Sequence, residues 1–241
     1  MGATHTTPDG RSSRWDEHRL ARRAELVDAT LRAIRRHGAG VGMDEVAATA
    51  RTSKTVFYRH FTDRAGLYTA VAERVDATII RGLTRAAGDP APDGARAVVR
   101  GVVAAYLRLV DDDPEVYRFI VNAPIVPAGE RPEGDVAAGM TGRIAAHVAD
   151  LVAEGLAGGT PGGTPGGPGV PALGTAPGGA ADGRAWRLWG VALVGMVRAT
   201  ADAWLAAGGA QTGPSADELA DDLTALIWDG LGAVATSPGR V

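Results

Sequence analysis

At 241 residues, 45% of them hydrophobic, the chain can bury the core of one large domain or two modest ones. It has no cysteine, which excludes a disulfide framework, a thiolate nucleophile and any cysteine-based metal site. The net charge of -3 hides an asymmetry, because residues 1–64 hold 12 Lys/Arg against 8 Asp/Glu and the remainder 13 against 20. A basic N-terminal module on an acidic body points to a polyanion as the partner of the first part.

Nearly every segment has helical periodicity and none alternates like a half-buried strand, so the expected class is all-α. From Glu17 to His37, Leu20, Ala24, Val27, Leu31 and Ile34 recur at spacings of three and four, with arginines on the other face, and the helix should stop at Gly38. Met43, Val46, Ala47 and Ala50 mark a short second helix with Gly42 as N-cap. Ser53 suits the N-cap of a third over Lys54 to Phe61, its hydroxyl accepting from first-turn amides. Asp63 or Thr62 can cap a long fourth helix with the stripe Leu67, Val71, Val75, Ile79 and Leu83, running to about Ala87. Ala95 to Val110 forms a fifth, and Asp113-Pro114 opens a sixth with Asp as cap and Pro at the first helical position.

Asp135 to Leu156 makes a seventh helix. Residues 155–183, with 12 Gly and 5 Pro, are expected to be a flexible loop because ordering them costs entropy without burying apolar surface. Arg184 to Ala207 and Ala216 to Leu231 supply the last two helices, the second opening on the capping box Ser215-Ala216-Asp217-Glu218. The N-terminus lacks the apolar core of a signal peptide. The apolar run Leu188 to Val197 is shorter than the roughly 20 residues of a membrane span. A soluble, cytoplasmic protein is therefore expected, with no membrane partner.

Catalytic patterns are absent. His5, His18, His37, His60 and His147 show no paired spacing, and the run Asp111-Asp112-Asp113 with Glu115 is explained by the helix start at Pro114. Gly38, Gly40 and Gly42 follow a helix instead of a strand, so they lack the context of a phosphate loop. No enzyme, metal or cofactor is expected.

Two short helices joined by a tight turn and buttressed by a longer one fit a helix-turn-helix over about 43–62, whose second helix enters the DNA major groove. Periodicity alone leaves a simple helical corner equally open. Residue identity favours DNA: with Val56, Phe57 and Phe61 packed inward, Lys54, Thr55, Tyr58 and His60 project outward with Arg59 at their margin. Cations, hydroxyls and imidazole are groups that reach phosphates and base edges.

From about Leu20 to Ala72 the sequence resembles the N-terminal domain of the TetR family of transcriptional regulators. The resemblance is carried by Leu31, Gly38, Val46-Ala47, Ala50, Ser53, Thr55, Val56, Phe57-Tyr58, His60-Phe61, Arg64 and Leu67. It implies that Thr55, Tyr58 and His60 face DNA, that Arg64 clamps the backbone at the start of the fourth helix, and that Lys54 occupies a variable position. Three positions depart from the family pattern: Arg51 stands where glycine is usual in the turn, Thr52 replaces an aliphatic residue, and Gly42 replaces threonine. Arg51 would then hold a left-handed backbone at some cost while adding positive charge. The candidate DNA-binding set is Arg51, Ser53, Lys54, Thr55, Tyr58, Arg59, His60 and Arg64.

The resemblance further implies an N-terminal three-helix helix-turn-helix domain followed by a helical ligand-binding and dimerisation domain, about nine helices in all. Residues 1–16 are expected to be a disordered basic arm whose Arg11 and Arg14 add phosphate or minor-groove contacts, 17–75 the DNA-binding domain and 76–241 the body. Candidate dimer-interface residues are Trp189, Leu193, Val197, Trp204, Leu223 and Ile227, with ordinary core packing the alternative. Candidate ligand-lining residues are Tyr106, Tyr117, Phe119, Met140 and Met196, again with plain core as the alternative. The functional expectation is a homodimeric repressor that binds a palindromic operator in double-stranded DNA and is released by a small, largely apolar inducer. The competing expectation is a helical small-molecule-binding or sequestering protein with a vestigial helix-turn-helix.

Overall fold

The structure, a computed structural model, describes residues 10–88, 94–122, 136–157 and 180–229. Among the described residues there are nine α-helices and one short 3-10 helix, and no strand. They run α1 (Gly10–His37), α2 (Met43–Thr49), α3 (Lys54–Phe61), α4 (Arg64–Ala87), α5 (Gly94–Asp112), α6 (Pro114–Asn122), α7 (Val136–Ala157), α8 (Ala180–Ala206) and α9 (Ala216–Asp229). The chain divides into two compact units, Met1–Arg74 with Glu115–Glu133 and Val75–Pro114 with Gly134–Val241.

In the first unit, α1 begins at Gly10, not at the expected Glu17, so part of the expected arm is helical. Extending an existing helix is cheap, and a solvated turn can precede the apolar stripe. Residues 1–9 of that arm lie outside the described residues. The buried face of α1 starts at Leu26 and continues through Val27, Ala29, Thr30, Ala33 and Ile34. Leu20, expected in that stripe, is 65% exposed because it lies before the first residue to find a packing partner. Helix α1 ends where expected, at Gly38, whose φ of 89° favours glycine. Helices α2 and α3 pack together and α2 packs on α1. The centre of this core is Ile34, Val46, Phe57, Leu67 and Val71.

Helix α6 belongs to this first unit, although the sequence reading put it in the body. Its fully buried Phe119 packs at 5.9 Å on Tyr68, whose hydroxyl donates to the Ile120 carbonyl at 2.6 Å. The Glu115 carboxylate accepts from the Ala39 amide at 2.7 Å just beyond α1.

In the second unit, α5 packs on α7 and α9, and α7 packs on α8. A Cβ at Gly190 would sit 2.6 Å from the Ala145 carbonyl, so glycine lets α7 and α8 approach closely. Arg100 pairs with Asp221 and Arg108 with Asp217, tying α5 to α9. Helix α9 carries the expected capping box: the Ser215 amide donates to Glu218 at 2.9 Å and the Glu218 amide to Ser215 Oγ at 3.3 Å. The Gly/Pro-rich stretch is shorter than expected at both ends, and its residues 158–179 lie outside the described residues.

Candidate nucleic-acid interface

The turn from α2 to α3 is closed by two reverse hydrogen bonds, Arg51 N–H to the Ala48 carbonyl and Thr52 N–H to the Ala47 carbonyl, each 3.0 Å. With Arg51 at φ 52° between them, this is a complete Schellman motif in which a non-glycine residue holds the left-handed position. Arg51 and Thr52 are accommodated without breaking the turn, and the exposed Arg51 side chain keeps its charge at the surface.

Helix α3 buries Phe57 and Phe61, stacked at 6.1 Å, with Val56 half-buried. Lys54, Thr55, Tyr58 and Arg59 are exposed and His60 is half-buried at the edge. Ser53 occupies the N-cap position in extended backbone but makes no side-chain capping bond. Its carbonyl instead accepts from the Val56 amide at 3.1 Å, and the side chain is exposed.

Helix α3 ends on an unusual turn. Thr62 sits at φ 68°, ψ -55°, with the Asp63 amide donating to the Phe61 carbonyl at 2.7 Å, a strained γ-turn. Asp63, and not Thr62, caps α4: its Oδ1 accepts from the Gly66 amide at 2.7 Å. A Cβ on Gly66 would fall 2.0 Å from the Phe61 carbonyl oxygen, so only glycine allows the turn to close and set the exposed Arg64 at the start of α4.

The electrostatics of this face come from α1, α2 and α3. His60 is held below the usual histidine pKa, first by burial and then by Arg59 and by Arg22, Arg19 and Arg23 of α1. Arg23 also lies 4.9 Å from the centre of the Phe61 ring. Lys54 Nζ pairs with Asp44 Oδ1 on the first turn of α2 at 2.8 Å, and that hydrogen bond raises its pKa. The sequence reading does not single out Asp44, Gly66, Arg19, Arg22 or Arg23 for this site. The signal for the arginines was their recurrence opposite the apolar stripe of α1. A fixed imidazole with a ring N–H to donate, surrounded by arginines, is suited to a phosphate oxygen.

The other candidates separate. In the second unit, Tyr106 lines an apolar cleft with Leu83, Val102, Val103, Ile144, Val148, Leu193, Val194 and Val197, about 310 Å³ when its open mouth is counted. Met140 is buried and Met196 half-buried, and neither lines the cleft. Tyr117 and Phe119 belong to the first unit. Of the interface candidates, Leu193, Val197, Trp204 and Leu223 are already buried within one chain, and Trp189 and Ile227 are half-buried. Among the described side chains of α8, the large apolar residues that are exposed are instead Leu188 and Val191, at 69% and 54%. By length and composition Leu188–Ala206 could cross a membrane, which the shorter run weighed from sequence could not, and 33% of it is buried. Among the described residues no group of three or more His, Cys, Asp or Glu could hold a metal ion.

Residues 26–71 match the family model described as bacterial regulatory proteins, tetR family. Over 239 residues, 97% of this chain and 87% of the relative, the sequence is 32% identical to an uncharacterized HTH-type transcriptional regulator of Mycobacterium tuberculosis. It is 34% identical over 79 residues, 33% of this chain and 35% of the relative, to the HTH-type transcriptional activator FasR of Mycolicibacterium smegmatis. The fold is similar to a TetR-like transcriptional regulator from Rhodococcus sp. RHA1, with a TM-score of 0.54 and 23% identity over 87% of this chain and 94% of that one. The chain thus belongs to the TetR family of bacterial transcriptional regulators, a class of soluble, cytoplasmic DNA-binding proteins and not of enzymes.

Proposed function

We propose that this regulator is a homodimeric repressor that inserts α3 of each subunit into successive major grooves of a palindromic operator and leaves it when a small apolar inducer binds the body. The observation that carries the reading is the exposed row Lys54, Thr55, Tyr58 and Arg59 beside His60 and its surrounding arginines. Lys54 and Thr55 are suited to base edges, while Tyr58, His60, Arg51, Ser53 and Arg64 are suited to phosphates. The expected half-site separation is about 34 to 36 Å.

The dimer reading is supported by α8, whose outward stripe of Leu188, Val191, Ala192 and Gly195 is exposed in one chain. Small residues within such a stripe let two helices approach closely, and closed two-fold pairing is the commonest oligomer. The inducer reading is supported by the apolar cleft around Tyr106. Helix α4 contains both Arg64 and the cleft residue Leu83, which makes it the proposed link between inducer binding and release. The relative named as an activator matches 33% of this chain, so its activating role is not carried over, and repression is proposed as part of the release mechanism.

Operator fragments selected from genomic DNA provide the test. Anisotropy titrations should give salt-dependent binding, weakened about tenfold by Tyr58→Phe or His60→Ala. Unchanged affinity in both variants refutes the assigned face, and a monomeric mass at micromolar concentration refutes the dimer.

A further inference from the structure

The buried stripe of α4 contains one acid. Asp76 is 5% exposed and lies on the same face as buried Ile79 and Leu83. One carboxylate oxygen, Oδ2, accepts from Arg143 Nε at 2.7 Å. The other, Oδ1, is, among the described residues, the one buried side-chain nitrogen or oxygen that has no hydrogen-bond partner. Leaving such an acceptor unmet forfeits its hydration without return, the more so for a charged group, so an isolated instance calls for a reason.

Its surroundings supply one. Asp76 precedes Leu83 by two helical turns, a rise of roughly 10.5 Å, and Leu83 lines the apolar cleft. Its partner Arg143 directly precedes Ile144, which lines the same cleft from α7. The cleft itself is hydrocarbon apart from Tyr106, so it can hold an apolar body but offers little to orient one. An acceptor lying along the same two helices would fix a ligand by its donating end.

We propose that the inducer is an apolar molecule carrying a hydrogen-bond-donating head group, ammonium or hydroxyl, which completes Asp76 Oδ1 while its apolar part fills the cleft. The proposal rests on the reading of that cleft as the inducer site. A carboxylate head is disfavoured, because it offers Oδ1 no donor and would have to compete with Asp76 for Arg143.

Three probes sharing one eight-carbon chain separate the possibilities: octylamine, 1-octanol and octanoate, titrated calorimetrically into the full-length protein. Octylamine or octanol, or both, should bind at least about tenfold more tightly than octanoate, and the tighter of the two identifies the head group. Asp76→Leu should erase that preference while retaining binding of the chain. Asp76→Asn, isosteric and able to keep an oxygen acceptor, covers the case in which leucine disturbs folding; it should reduce octylamine binding more than octanol binding. Octanoate binding as tightly as the others, or a preference unchanged in both variants, overturns the role of Asp76. If none of the three binds while operator binding is intact, the inducer-cleft reading falls with it.

Discussion

The two ends of the recognition helix use the same uncommon backbone state for different ends. Before α3, Arg51 holds φ 52° in a motif that glycine ordinarily occupies, and the Arg51 and Thr52 amides both find regular helix-end partners. After α3, Thr62 holds φ 68° in a γ-turn that closes only because Gly66 lets the Phe61 carbonyl pass. At the first end a side chain has been gained at conformational cost; at the second, one has been given up so that two helices can join at close range. Conformational rarity alone therefore does not reveal a residue's role, and the atoms the residue meets must be considered as well.

The largest effect that can break this contrast is Gly66→Ala. With the new Cβ 2.0 Å from a backbone oxygen, the γ-turn has to open, at a cost of about 3 kcal/mol or more, and Arg64 moves with α4. Thermal unfolding and operator titration should both register the change, and a wild-type melting temperature would refute the close approach. Glycine at either strained position should act the other way. Arg51→Gly and Thr62→Gly should each stabilise the fold by about 1 kcal/mol in denaturant unfolding. The two variants should part in operator titrations: Arg51→Gly lowers the salt slope by about one phosphate contact, whereas Thr62→Gly leaves it unchanged. An equal effect on DNA would remove the distinction between the two ends.

A smaller effect tests the arginines around His60. Its pKa is lower in the folded protein than the 6.5 of the free side chain, so the unfolded chain binds more protons between the two values. The neutral form carries no penalty well above pH 6.5. As the pH falls through 6.5 the wild type should lose stability, and the loss should level off below the folded pKa. Melting temperatures across that window should show the decline in the wild type and not in His60→Gln. A parallel decline in both would assign it to other groups.

The helices and the buried and exposed sides of α3 were largely legible because their signals are local. The end of α1 at Gly38, the capping box at Ser215 and the alternation of buried and exposed positions in α3 follow from spacing and side-chain chemistry. Those local signals did not find the start of α1, because a solvated helical turn carries no apolar mark. They also did not single out Gly66, whose necessity comes from a carbonyl five residues earlier being brought over it. In the body, periodicity identifies Leu193 and Val197 as apolar on one face of α8, but not whether that face meets a cleft or another subunit. Asp76 is hidden for a related reason. The stripe from Leu67 through Val75 to Leu83 follows one spacing, whereas the buried line shifts by one residue to include the acid.

The pair of Lys54 with Asp44 bears on the protein's own covalent chemistry. Lys54 is the one lysine in this sequence, so acylating reagents aimed at ε-amines can attach a dye or crosslinker at a single side chain on the proposed DNA face. Its hydrogen bond to Asp44 keeps the amine protonated to higher pH, which slows that chemistry. Asp44→Asn should speed labelling, and bound operator should suppress it. The rate of one covalent modification thereby becomes a footprint of the recognition helix.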